Sequence, residues 1–120
     1  MSTEIQNAAG SDTGAIASLA APDADRMAQC APQIAGLLKA LSHEGRLMIL
    51  CHLAAADRSV TELEQLLGQR QAAVSQQLAR LRAEGLVRAR RDGKTIRYSL
   101  SDGPAQTMIE QLYRICCAEA

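Results

Sequence analysis

The chain has 120 residues, room for one domain. It is 48% hydrophobic but 2% aromatic, with no Trp and no Phe, so its core must come from Leu, Ile, Val, Ala and Met, a palette that favours helices. The formal net charge is +0; no apolar run is long enough to span a bilayer and no basic stretch leads into an apolar one, so a soluble, cytoplasmic protein is expected.

Residues 1–22 are rich in Ser, Thr, Ala, Gly and Asp without a hydrophobic period, and read as a flexible tail before a domain over 23–118. Asp23 and Asp25 suit a helix start, and Ile34, Leu37, Leu38 and Leu41 follow at helical spacing. Pro32 either kinks this first helix or opens a second piece of it. Leu47, Leu50, Cys51 and Ala54 form the apolar stripe of a helix over 43–55, and Asp57 and Arg58 a short loop after it.

Ser59 with Glu62 is a capping-box pattern, opening a helix with Val60, Leu63, Leu66 and Leu67 as its buried face and Gly68 as its C-cap. Ala73, Val74, Leu78 and Leu81 then mark a helix from Gln71 to Glu84. Two helices joined by a tight turn, over 59–84, are a helix-turn-helix. Residues 86–91 and 95–100 alternate with the strand period around Asp92-Gly93, a hairpin signal, so 86–100 is a wing. Ser101 to Pro104 break the strand, and Ala105, Met108, Ile109, Leu112 and Ile115 or Cys116 give the last helix its stripe. The expected fold is mainly α with a small β-hairpin: a winged helix-turn-helix.

The zero net charge conceals an uneven distribution. Residues 1–57 carry three basic against six acidic side chains, residues 58–97 nine against four, and residues 98–120 one against three. Basic charge concentrated in one segment is what a phosphate-binding surface needs. The second helix of such a unit enters the major groove by its N-terminal end. That end holds Gln69, Arg70, Gln71, Ser75 and Gln76, with Arg80 further along toward the backbone. Gln pairs bidentately with adenine and Arg with guanine. A Gln-rich helix alone also fits a solvated face; the basic wing, with Arg90, Arg91, Lys94 and Arg97, favours operator DNA. The first and last helices are left to form a homodimer interface, which suits an inverted repeat with half-sites about 10 base pairs apart. A cysteine enzyme would need a base, an orienting partner or a cofactor loop, and none is recognisable, so neither an enzyme nor a cofactor is expected.

Ala40-Leu41-Ser42-His43 leading into Arg46-Leu47, Ser75-Gln76-Gln77-Leu78 with Leu81, Gly85-Leu86-Val87, and Gly93-Lys94 with Tyr98-Ser99-Leu100 together resemble the ArsR/SmtB family of bacterial repressors, over about residues 33–118. The resemblance implies a dimeric winged helix-turn-helix repressor that leaves DNA on sensing an inducer. Many members sense metals. Here the helix at Val60-Thr61-Glu62-Leu63 lacks Cys, and no His follows His52, so no metal site of the family is expected, and His43 is assigned to capping or packing. A metal-responsive alternative would need another set, such as Cys30, Cys51, His52 and Cys117.

Residues 46–51, Ser59-Val60 with Glu62-Leu63-Glu64-Gln65, and Leu112-Tyr113 with Ile115 and Cys117 resemble the sulfide- and persulfide-responsive BigR/SqrR branch. That likeness implies a switch between Cys51 and Cys117, with persulfide or a related sulfur species as inducer. Only a fold packing the last helix against the second could join them. At least one thiol should then be accessible with a lowered pKa. Cys51 also lies on an apolar stripe, where a plain core role is the alternative. The stripe of the last helix favours Cys116 and the resemblance Cys117; Cys117 is preferred because a sensor thiol should not be fully buried.

Overall fold

A computed structural model describes residues 21–117. Its elements are α1 (Ala24–Leu41), α2 (Glu44–Ala55), β1 (Arg58–Ser59), α3 (Val60–Leu67), α4 (Gln71–Ala83), β2 (Val87–Asp92), β3 (Thr95–Leu100) and α5 (Pro104–Cys116). The expected tail lies, for residues 1–20, outside the described residues. The chain divides after Pro32 into two units. In the first, Asp23 Oδ1 accepts from the amides of Asp25 at 2.9 Å and Arg26 at 3.4 Å, satisfying donors at the start of α1. Pro32 lies inside the span of α1 rather than at a helix start.

The second unit holds the core. Ala40, Leu41, Ile49, Leu50, Leu53, Leu63, Val74, Leu78, Leu81, Leu86, Val87, Leu100, Ala105 and Ile109 are buried together. Each large aliphatic among them contributes roughly 1.5–3 kcal/mol on burial. Arg46 joins α1 to α2: its Nε donates to the Ala40 carbonyl at 3.0 Å and its Nη2 to Lys39 at 3.1 Å, taking up carbonyls left open at the end of α1. His43 is the N-cap of α2, its Nδ1 accepting from the Arg46 amide at 3.3 Å.

The capping box of α3 is complete. Ser59 Oγ accepts from the Glu62 amide at 3.1 Å and Glu62 Oε1 from the Ser59 amide at 2.9 Å. Gly68 closes α3 at φ 65°, a left-handed cap that a Cβ would strain. Only Leu63 of the expected apolar face is fully buried, and Leu66 is 46% exposed. An eight-residue helix turns just one or two positions fully inward.

The sheet is three-stranded and antiparallel, in the order β1-β3-β2. Two expectations are corrected here. Arg58 is not loop but strand, pairing with Tyr98 while Ser59 pairs with Arg97. Two residues are too few for an alternating pattern to be seen in sequence. The hairpin loop is Gly93-Lys94, one residue later than Asp92-Gly93, because Asp92 still pairs with Thr95. Gly93 takes φ 67° at the first loop position, where primed turns require positive φ. The stripe of α5 also ends early: Ala105 and Ile109 are buried, while Ile115 is 75% exposed and Cys116 is exposed.

Candidate nucleic-acid interface and thiol pair

Helix α4 follows α3 after the turn Gly68-Gln69-Arg70. Its buried side is Val74, Leu78 and Leu81, so Gln71, Ser75, Gln76 and Arg80 stand on the exposed side, and Gln69 and Arg70 are exposed just before it. Arg70 is the N-cap and provides no side-chain acceptor, leaving the first amides of α4 open to an anion. Gln77 faces another way, its Nε2 3.5 Å from His43 Nε2.

The wing arginines differ in their commitments. Arg90 Nη2 lies 3.4 Å from Asp57 Oδ2. Arg97 is held on two sides, by Glu62 at 3.2 Å and Asp92 at 3.3 Å. Arg80 lies 3.4 Å from Glu84 one turn away. Arg91 and Lys94 are exposed and have no ion-pair partner among the described residues. The structure thus separates free cations at the hairpin tip from paired ones at its base.

Helices α2 and α5 pack together, as a Cys51–Cys117 pairing requires. Cys51 is half-buried against the core, and Cys117 is exposed at the C-cap of α5, its amide donating to the Tyr113 carbonyl at 2.8 Å. Burial pushes the Cys51 thiol up, and the negative charge of Cys117 as thiolate pushes it further. The lowering expected of at least one thiol therefore does not fall on Cys51. Cys116 and Cys30 are exposed. Among the described residues no three His, Cys, Asp or Glu converge as metal ligands. Among the same residues no helix is long and apolar enough to cross a membrane.

A helix pair ending in an exposed polar helix, followed by a basic hairpin, defines a winged helix-turn-helix nucleic-acid-binding protein. Residues 43–89 match the model of the bacterial regulatory protein, arsR family. The chain is 48% identical over 92 residues to the biofilm growth-associated repressor of Agrobacterium fabrum, covering 77% of this chain and 79% of that one. The crystal structure of the transcriptional repressor BigR from Xylella fastidiosa superposes with a TM-score of 0.76 at 43% identity, covering 82% of this chain and 100% of the other. A homodimeric winged helix-turn-helix DNA-binding domain from Mycobacterium bovis, described as a possible ArsR-family regulator, matches at 0.67 and 30% identity over 80% of this chain and 89% of that one. The protein belongs to the arsR family of bacterial regulatory proteins.

Proposed function

We propose that this protein is a cytoplasmic repressor that binds an inverted-repeat operator as a homodimer and releases it when sulfur bridges Cys51 and Cys117. Residues 59–84 act as the reading helices and 86–100 as the wing, within a domain over 23–118 that follows a tail of 1–22. Gln69, Arg70, Gln71 and Gln76 approach base edges, and Ser75 stands where it meets a base edge or a phosphate. Arg80, Arg90, Arg91, Lys94 and Arg97 supply positive charge toward the phosphates, with Arg91 and Lys94 making the direct contacts at the tip. The repressors named above support the sign of regulation. The Mycobacterium bovis homodimer and the exposed apolar side chains Ile34 and Leu38 of α1 and Tyr113 and Ile115 of α5 support the dimer.

The observation that carries the switch is the packing of α2, which bears Cys51, against α5, whose C-cap is Cys117, across a sequence separation that no local motif spans. Two persulfide molecules transfer two sulfur atoms and leave as thiols. One sulfur bridges the two cysteines as a trisulfide; the other leaves as hydrogen sulfide with the two protein thiol protons and electrons. Exposed Cys117 attacks first as thiolate, and half-buried Cys51, which holds its proton longer, closes the bridge as that proton passes to the departing hydrosulfide.

The test is peptide mass spectrometry and promoter-DNA anisotropy on the reduced protein, before and after glutathione persulfide. A Cys51–Cys117 link carrying extra sulfur, with loss of DNA binding, is expected. Unlinked thiols at both positions, or sulfur-dependent release by a Cys51→Ser/Cys117→Ser variant, overturns the switch. Release of DNA by divalent metals from the reduced protein, without persulfide, points to the metal-responsive alternative.

A further inference from the structure

Resting on the DNA-binding assignment above, we propose that the hollow between α4 and β3 is a phosphate site for the duplex backbone, held by Ser75, Arg82 and Tyr98. The cavity is about 360 Å³ and is lined by those three residues with Leu78, Ala79 and Ala83. Ser75 and Arg82 lie two helical turns apart on one side of α4. Ala79 and Ala83 between and beside them carry only a methyl group, so no long side chain of α4 fills the space. Buried Leu78 forms part of the lining.

The charge in this hollow is of one sign. Its lining has two hydroxyls and a guanidinium and no carboxylate. The cavity around Arg88 and Arg90 includes Asp57, and the one around His43 and His52 includes Glu44. Arg82 also differs from its neighbours: Arg80, Arg88, Arg90 and Arg97 each have a carboxylate partner, and Arg82 has none among the described residues. An unpaired guanidinium is a fork for phosphate oxygens. The occupant is duplex DNA because the hollow joins the exposed side of α4 to the wing, and a backbone crossing between a groove-reading helix and its wing passes this seam.

The contact is sequence-neutral, so it can be read with a duplex of about 30 base pairs and mixed sequence, titrated by anisotropy across salt concentrations. Arg82→Gln should flatten the slope of log Kobs against log salt by about 0.9, the value of one phosphate, and weaken binding on the order of tenfold. Arg82→Lys should restore the slope. Tyr98→Phe should weaken binding and leave the slope unchanged, since it removes a hydroxyl and no charge. An unchanged slope in Arg82→Gln, alongside a flattened one in Arg91→Gln, overturns the seam site and leaves the DNA-binding assignment standing. Equal flattening by Lys39→Gln on α1 reduces the effect to net charge and also overturns it. No binding by the unmodified protein would remove both.

Discussion

Arg97 on β3 donates to Glu62 on α3 at 3.2 Å, and the same Glu62 oxygen accepts the Ser59 amide at 2.9 Å. One carboxylate thus closes the N-terminal box of α3 and anchors the wing to it. Arg97, 32% exposed and held also by Asp92, is a strut at the base of the hairpin. Arg97→Gln should lower the melting temperature while flattening the DNA salt slope less than Arg91→Gln does. Equal flattening would return Arg97 to the phosphate contacts.

The Glu62 carboxyl is held below its ordinary range, first by the Ser59 amide; desolvation, the next effect in size, opposes this, and Arg97 and then Arg58 add to the lowering. A lowered carboxylate pKa stabilises the fold above the ordinary carboxylate range, and the gain is lost as pH falls through the lowered value. The melting-temperature gap between the unmodified protein and Glu62→Gln should be widest near neutrality and close in acid. A gap constant from pH 7 to pH 3 would contradict this.

The sign is opposite for Cys51. Its raised thiol pKa gives a contribution that is whole below the ordinary thiol range and lost as pH rises through the raised value. Alkaline destabilisation should be smaller in Cys51→Ala. Iodoacetamide should label Cys117 before Cys51 at neutral pH, and Cys117→Ser should shift Cys51 labelling to lower pH. Faster labelling of Cys51 than Cys117 would reverse the order of attack proposed above.

Leu63 is fully buried, at 0% exposure, where α3 meets the rest of the core. Leu63→Ala should cost about 2–5 kcal/mol in urea unfolding, the transfer loss plus the cavity left behind. Leu66→Ala, on the exposed side of the same helix, should cost far less. Equal losses would mean that Leu66 is covered in the protein as it exists in solution.

Arg91 and Lys94 should each carry one phosphate. Removing either charge should flatten the salt slope by about 0.9, and removing both should flatten it additively. A slope unchanged in the double variant would detach the hairpin tip from DNA.

Features written in adjacent residues were legible from the sequence. The box at Ser59 and Glu62, the cap at Gly68 and the period of Val74, Leu78 and Leu81 need only local geometry. What depends on distant partners was not legible. Arg58 becomes strand only because Tyr98 lies beside it, and Arg97 is drawn inward by Glu62, 35 residues away. The hairpin turn was displaced by one residue because Asp-Gly and Gly-Lys both satisfy the glycine requirement; pairing of Asp92 with Thr95 decides between them. Spacing along α5 could not choose between Cys116 and Cys117. In the fold both are exposed. Arg82 and Tyr98 escaped notice as a pair because their seam exists only once α4 and β3 lie side by side.

Only Ala56 and Asp57 separate α2 from β1, and β1 is bonded to β3. The helix bearing Cys51 and the strand bearing Tyr98 and Arg97 are therefore fastened by main chain, like a rod riveted to a blade. If sulfur bridges Cys51 and Cys117 as proposed, a displacement of α2 has a short route to the root of the wing, through Ala56, Asp57 and two strand residues.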